Sequence, residues 1–284
     1  MRALPALILA LCGLTASACG AGSDGATAGQ ATLTPVPTVT ATVTVTATDE
    51  PPAIDTAAPE QPEVKPLDGK VIVIDPGHNG GNYRDPQAVN RLVDVLTQRK
   101  ACDTTGTATN DGYSEAAFTW DVSKRLRKLL RRRGATVEFT RSDNDSVGPC
   151  ITERAAIGNE ARADAAISVH ADGSAAANHG FHVIMPKRIG GPVDRVVAAS
   201  RRLGLAVRDA FHAGTGVPYS TYIGRKALDY RSDLGGLNLS TVPKVFVECG
   251  NMRNAAEAAQ FRDPEFRQRI ALALADGLQH YLQS

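Results

Sequence analysis

Four side chains capable of hydrolytic chemistry stand at the edges of apolar segments: His78, Glu115, His170 and Glu248. Two imidazoles and a carboxylate make a sound zinc site that leaves a fourth position for water. Such a metal lowers the pKa of water toward about 7 and polarises a carbonyl oxygen. A further carboxylate, held off the metal, can take a proton from water and deliver it to a leaving amine. The set offered here is His78, Glu115 and His170 as ligands, with Glu248 as base and acid. Spacing alone leaves that assignment open, because no local two-histidine helix motif is present. Taken singly, His78 is no more than a loop histidine.

The segments around these residues are what must position them. Val71 to Ile74 is a short, mostly β-branched run, which reads as a strand buried on both faces of a mainly parallel sheet. Asp75-Pro76-Gly77 ends it, and His78 follows at the carboxyl end, where open α/β sheets bind ligands. Asn79 to Gly112 reads mainly as a long functional loop, with weak helical periodicity between Val89 and Leu96. Phe118, Val122, Leu126, Leu129 and Leu130 share one helical face, with Ser114 as N-cap and Gly134 as stop. Glu115 lies in the first turn of that helix. Its opposite face carries Lys124, Arg125, Arg127, Lys128 and Arg131 to Arg133, read as a solvated face whose last-turn cations suit the helix dipole.

Downstream, Ala135 to Arg141 alternates as a strand, and Thr152 caps a helix running to about Arg162. Ala165 to His170 is another buried strand, followed by strand Gly180 to Met185 and a helix marked by Val193 to Phe211. Gly214 to Leu239 reads as a substrate-facing loop region. Lys244 to Glu248 is the last core strand. Asp263 caps and Pro264 starts a closing helix through Tyr281. Strands alternating with helices predict an α/β domain, a three-layer α/β/α sandwich.

Ahead of this domain, residues 1–19 read as an export signal: Arg2, an apolar run from Ala3 to Leu14, then small residues up to Cys19. The apolar run is too short to span a bilayer comfortably. Small residues before Cys19 resemble a bacterial lipoprotein box, but Ala16 stands where that box usually has leucine. Membrane attachment through a lipidated Cys19 and simple cleavage both stay open. Residues 20–67, rich in Thr, Pro and Ala, read as a disordered linker, so the working domain spans 68–284. With 31 basic and 30 acidic residues, nothing in the charge calls for nucleic acid. No feature demands an oligomer, and a monomer is the expected state.

The leader holds Cys12 and Cys19. Of the rest, Cys102 and Cys150 lie in polar, loop-like sequence, and export permits a disulfide between them. It would close a loop of about fifty residues, worth roughly 4 kcal/mol. Cys249 sits in an apolar strand and reads as a buried free thiol.

Five segments occur in order: Asp75-Pro-Gly-His78, Glu115 with its amphipathic helix, Val137-Glu-Phe-Thr-Arg141, Ser168-Val-His-Ala-Asp172 and Val247-Glu-Cys-Gly-Asn251. Together they resemble the zinc-dependent N-acetylmuramoyl-L-alanine amidases of bacterial cell walls, from about Lys70 to the C-terminus. The resemblance implies that His78, Glu115 and His170 bind one zinc and that Glu248 is the catalytic carboxylate. It implies peptidoglycan as substrate, cut at the amide between the lactyl group of muramic acid and L-alanine. The Cys102 and Cys150 pair is similar to actinobacterial members. Cys249 stands where many relatives carry an aliphatic residue. Only a short turn, Ala171 to His179, follows the second histidine, where some members carry an autoinhibitory insertion; the Asn79–Gly112 loop is the better candidate for gating. Two other readings are a catalytically silent wall-binding module, which would have no need of Glu248, and a zinc peptidase cutting within the stem peptide. Asp75 is either a ligand-orienting group or a turn former. His179, His182, Arg225 and Gly235 to Asn238 have only a positional claim on substrate.

Overall fold

A buried β-branched run needs partners on both sides, and Val71–Pro76 finds them. This strand, β1, pairs in parallel with two others, so that Ile72 and Ile74 are fully enclosed. Each such side chain contributes about 1.5–3 kcal/mol by burial. A computed structural model describes residues 64–284. The export signal, Cys19 and nearly all of the proposed linker lie outside the described residues. Leu67, assigned to the linker from sequence, is buried in the main core, and its N–H donates to the Arg133 carbonyl at 2.8 Å.

After β1 the chain forms a 3-10 turn (Asn82–Arg84), α1 (Pro86–Asn90) and a two-stranded antiparallel hairpin, β2 (Leu92–Asp94) and β3 (Arg99–Ala101). The loop expected over 79–112 therefore carries structure of its own. Next come α2 (Glu115–Arg132), β4 (Thr136–Phe139), α3 (Ile151–Glu160), β5 (Ala165–Asp172) and β6 (His182–Pro186). A second 3-10 turn (Pro192–Arg195) leads to α4 (Val197–Thr215), then β7 (Leu228–Arg231), α5 (Gly235–Asn238), β8 (Lys244–Asn251), α6 (Ala255–Arg262) and α7 (Pro264–Gln283). Ser114 caps α2 through the Ala117 N–H, and Asp263 caps α7 with Pro264 in its first turn, as expected. The cap of α3 is Cys150, not Thr152, which lies inside the helix. The basic face of α2 is partly engaged: Arg125 pairs with Asp121 at 2.7 Å and Arg131 donates to the Val137 carbonyl at 3.1 Å.

The sheet order is β4-β1-β5-β8-β6-β7, parallel from β4 to β8, with β6 antiparallel to β8 and β7 parallel to β6. The main core packs Ile72, Ile74, Ile167, Val169, Val245 and Val247 against α2, α4 and α7. A thinner layer, α3 and α5, covers the other face. The α/β/α expectation holds. The chain passes from β1 to β4 on one side and then returns to β5 on the other. That reversal opens a crevice between β1 and β5 at their carboxyl ends, the usual ligand position in such sheets.

Candidate metal centre

Side chains alternate along a strand, so residues two apart share a face. On the thinly covered face, Asp75 of β1 lies beside Ser168 of β5, and Ser168 beside Phe246 of β8. One pleat further on, His170, Glu248 and His182 form a row across β5, β8 and β6. His78 comes from the turn after β1, and Glu115 enters from the first turn of α2. The four residues singled out from sequence thus meet at one edge of one sheet.

Among the described residues, His78, Glu115 and His170 form one potential metal-binding cluster, with donor atoms within 4.8 Å of one another. His78 Nε2 lies 3.2 Å from Glu115 Oε2, and His170 Nδ1 lies 2.9 Å from Glu115 Oε1. Donors bound to one zinc at about 2.0–2.2 Å stand roughly 3.4 Å apart in a tetrahedron. Both Glu115 pairs fall within about 0.5 Å of that spacing, and closing all three donors on one ion needs modest side-chain movement from their present spread of up to 4.8 Å. The donor set fits zinc.

Backbone and ring contacts fix these side chains. The N–H groups of Thr107 and Ala171 donate to Glu115 at 2.9 and 3.2 Å. The His170 ring stacks on Phe246 at a centroid distance of 5.1 Å and meets His78 edge-on at 5.0 Å. A Cβ at Gly77 would collide with the His170 ring, so only glycine lets that turn pass. His78 turns its other nitrogen, Nδ1, toward the Thr104 carbonyl at 3.1 Å and Asp103 Oδ1 at 3.4 Å.

The charges follow from the crowding. Burial opposes protonation of His78, but the carboxylates of Glu115 and Asp103 outweigh it and raise its pKa to about 10. Burial likewise opposes ionisation of Glu115, yet the two imidazoles pull it well below the usual carboxylate range. Glu248 shifts the other way: burial, then the negative charges of Glu115 and Asp172, push it well above that range. Its Oε2 is enclosed with no hydrogen-bond partner. A buried carboxyl oxygen left unpaired is costly.

Around Glu248, the Tyr222 hydroxyl donates to Asp172 Oδ2 at 2.9 Å, and the Tyr222 ring meets His182 edge-on. Burial lowers the pKa of His182 to about 4, so this imidazole is neutral. A cavity of about 180 Å³ lies against His78 and His170, walled by Phe246, Ile151, Gly235 and Gly236. The glycine segment expected to face substrate thus borders the site, whereas exposed Arg225 sits in a tight turn bridged to Leu228.

Asp75 resolves as more than a turn former. It is buried and accepts from Thr140 and Ser168, both at 2.6 Å, and pairs with Arg154 at 2.9 Å and Lys244 at 3.1 Å. Sequence reading missed Asp103, Arg154, Lys244 and Phe246; a polar residue inside an otherwise apolar segment was the available signal for Lys244. Cys102 and Cys150 are buried neighbours with free thiols. Burial and the adjacent Cys150 thiol push Cys102 up to about 12. Cys249 is a buried free thiol, as expected.

A family described as N-acetylmuramoyl-L-alanine amidase matches residues 72–280. The chain belongs to this amidase family. Over 215 residues the amidase domain is 40% identical to the N-acetylmuramoyl-L-alanine amidase Rv3717 of Mycobacterium tuberculosis, covering 75% of this chain and 87% of that one. The crystal structure of the amidase Ami1 from Mycobacterium smegmatis is similar at a TM-score of 0.72 and 39% identity, over 76% of this chain and 98% of that one. Ami1 from Mycobacterium abscessus matches at 0.71 and 41%, over 76% and 100% of the two chains. These likenesses agree with the expectation of an actinobacterial-like amidase.

Proposed function

We propose that the chain is an exported, zinc-dependent N-acetylmuramoyl-L-alanine amidase that acts on peptidoglycan. It cleaves the amide between the lactyl group of muramic acid and L-alanine of the stem peptide. Family membership supports the reaction. The observation that carries the mechanism is Glu248, whose unpaired carboxyl oxygen stands one strand from His170 in the same cross-strand row.

His78, Glu115 and His170 would hold the ion. Bound there, zinc supplies a Lewis acid that polarises the scissile carbonyl and makes water more acidic. Glu248 takes a proton from the attacking water and passes it to the nitrogen of the departing alanine. Phe246 keeps the His170 ring from turning, and Thr107 and Ala171 hold both Glu115 oxygens through their N–H groups. The cavity against the two histidines leaves room for a small group on the Phe246 side of the His170 ring.

Export fits the proposed leader, and among the described residues no helix is long and apolar enough to cross a membrane. An exported chain meets oxidising conditions, where the neighbouring Cys102 and Cys150 thiols would join. Mass spectrometry of the mature N-terminus distinguishes a lipidated Cys19 from simple cleavage. The activity is tested with the purified chain and muramoyl dipeptide, stripped by chelator and then resupplied with zinc. The expected result is intact dipeptide released only with zinc. Release of single amino acids would identify a peptidase, and no product at all a binding module.

A further inference from the structure

His78 is held in the left-handed region at φ 58, a strained conformation for a non-glycine residue. Something must hold it there, and the contacts converge on Arg154 of α3. This guanidinium is 4% exposed and donates to the carbonyls of Pro76 at 2.8 Å, His78 at 2.9 Å and Pro149 at 2.9 Å. It also pairs with Asp75 Oδ1 at 2.9 Å and Asp103 Oδ2 at 3.0 Å. The other oxygen of Asp103 faces His78 Nδ1 at 3.4 Å, beside the Thr104 carbonyl and hydroxyl, both at 3.1 Å.

We propose that Arg154 and Asp103 are positioning residues that set His78 for its ion before the ion arrives. Arg154 fixes the strained backbone of the turn. Asp103 and the Thr104 carbonyl then accept from Nδ1–H, which leaves Nε2, facing Glu115 Oε2 at 3.2 Å, as the nitrogen that gives up its proton to take the ion. A carboxylate on the remote nitrogen also raises the basicity of the ligating one. Lysine cannot replace Arg154, because one ammonium cannot serve three carbonyls and two carboxylates in a planar fork. The inference rests on the zinc reading of the site and adds to it the device that prepares the ligand.

The test measures zinc affinity of the full chain by competition with a chromogenic chelator, for wild type, Asp103→Asn, Asp103→Ala and Arg154→Lys. Circular dichroism checks the fold, and nitrogen NMR of the zinc-loaded chain reports the His78 tautomer, that is, which ring nitrogen keeps its proton. Expected is one zinc per wild-type chain and about 10–100-fold weaker binding in the variants. A mixed or inverted His78 tautomer should accompany the loss in both Asp103 variants. If Arg154→Lys does not fold, the Asp103 variants still decide. A wild type that binds one zinc while folded Asp103→Ala binds it within twofold, tautomer unchanged, overturns this inference alone. A wild type that takes up no zinc overturns the parent reading and this inference together.

Discussion

Replacing Glu248 with glutamine separates the roles of the four site residues. Glutamine keeps the shape of the side chain but neither accepts a proton from water nor returns one to an amine. In the metal-free chain, burial and the charges of Glu115 and Asp172 push this carboxyl well above its ordinary pKa. A nearby dication opposes that shift and so favours the carboxylate form needed for a base. Acid–base catalysis is worth about 10²–10⁴ in rate, so turnover should fall at least a hundredfold, or about 2.7 kcal/mol in barrier. Zinc content should be unchanged, because Glu248 is outside the ligand cluster. Stability of the metal-stripped chain should hold or rise, since the exchange removes an ionisable group whose charged form burial and the charges of Glu115 and Asp172 oppose. The assays are peptide release from muramoyl dipeptide, metal analysis and urea unfolding. Turnover within tenfold of wild type would refute the proton-transfer role. Loss of zinc would make Glu248 a ligand, and a stability loss beyond about 1 kcal/mol would make it a structural group.

Asp75→Asn should destabilise the domain by about 3–5 kcal/mol, because Arg154 and Lys244 are then buried without their counter-charge. Asp75 is depressed well below its ordinary pKa in the fold, so its contribution is complete above about pH 4 and is lost as pH falls through the folded value. Urea midpoints measured down the acid limb should therefore fall less steeply in the variant; equal slopes would exclude Asp75 as a source of acid sensitivity. For the cysteine pair, the intact mass of exported chain should lack the two thiol hydrogens of Cys102 and Cys150, and reduction should cost roughly 4 kcal/mol. An unchanged mass would leave both as thiols.

Elements with strong local patterns were legible from sequence. The β-branched run of β1, the capped and one-faced α2, and α7 with Asp263-Pro264 at its start were all readable without neighbours. The hairpin β2–β3 was not, because its strands are three residues each and Val93 is the one buried side chain among them. β7 is a four-residue edge strand with no fully buried side chain, and α6 has almost no one-sided apolar face. The site divides in the same way. His78 and Glu115 stand at element ends, and His170 and Glu248 stand in the carboxyl-terminal halves of β5 and β8, each a polar residue closing an apolar run. Asp103 and Arg154 meet across 51 residues, and their roles depend on backbone carbonyls that no side-chain pattern encodes.

The most direct measurement is anomalous diffraction at the zinc edge from crystals of the zinc-loaded chain. One peak should lie about 2.0–2.2 Å from donors of His78, Glu115 and His170, with Glu248 nearby but outside bonding distance. A peak elsewhere, or one bonded to Glu248 in place of any of the three, would contradict the division between ligands and base.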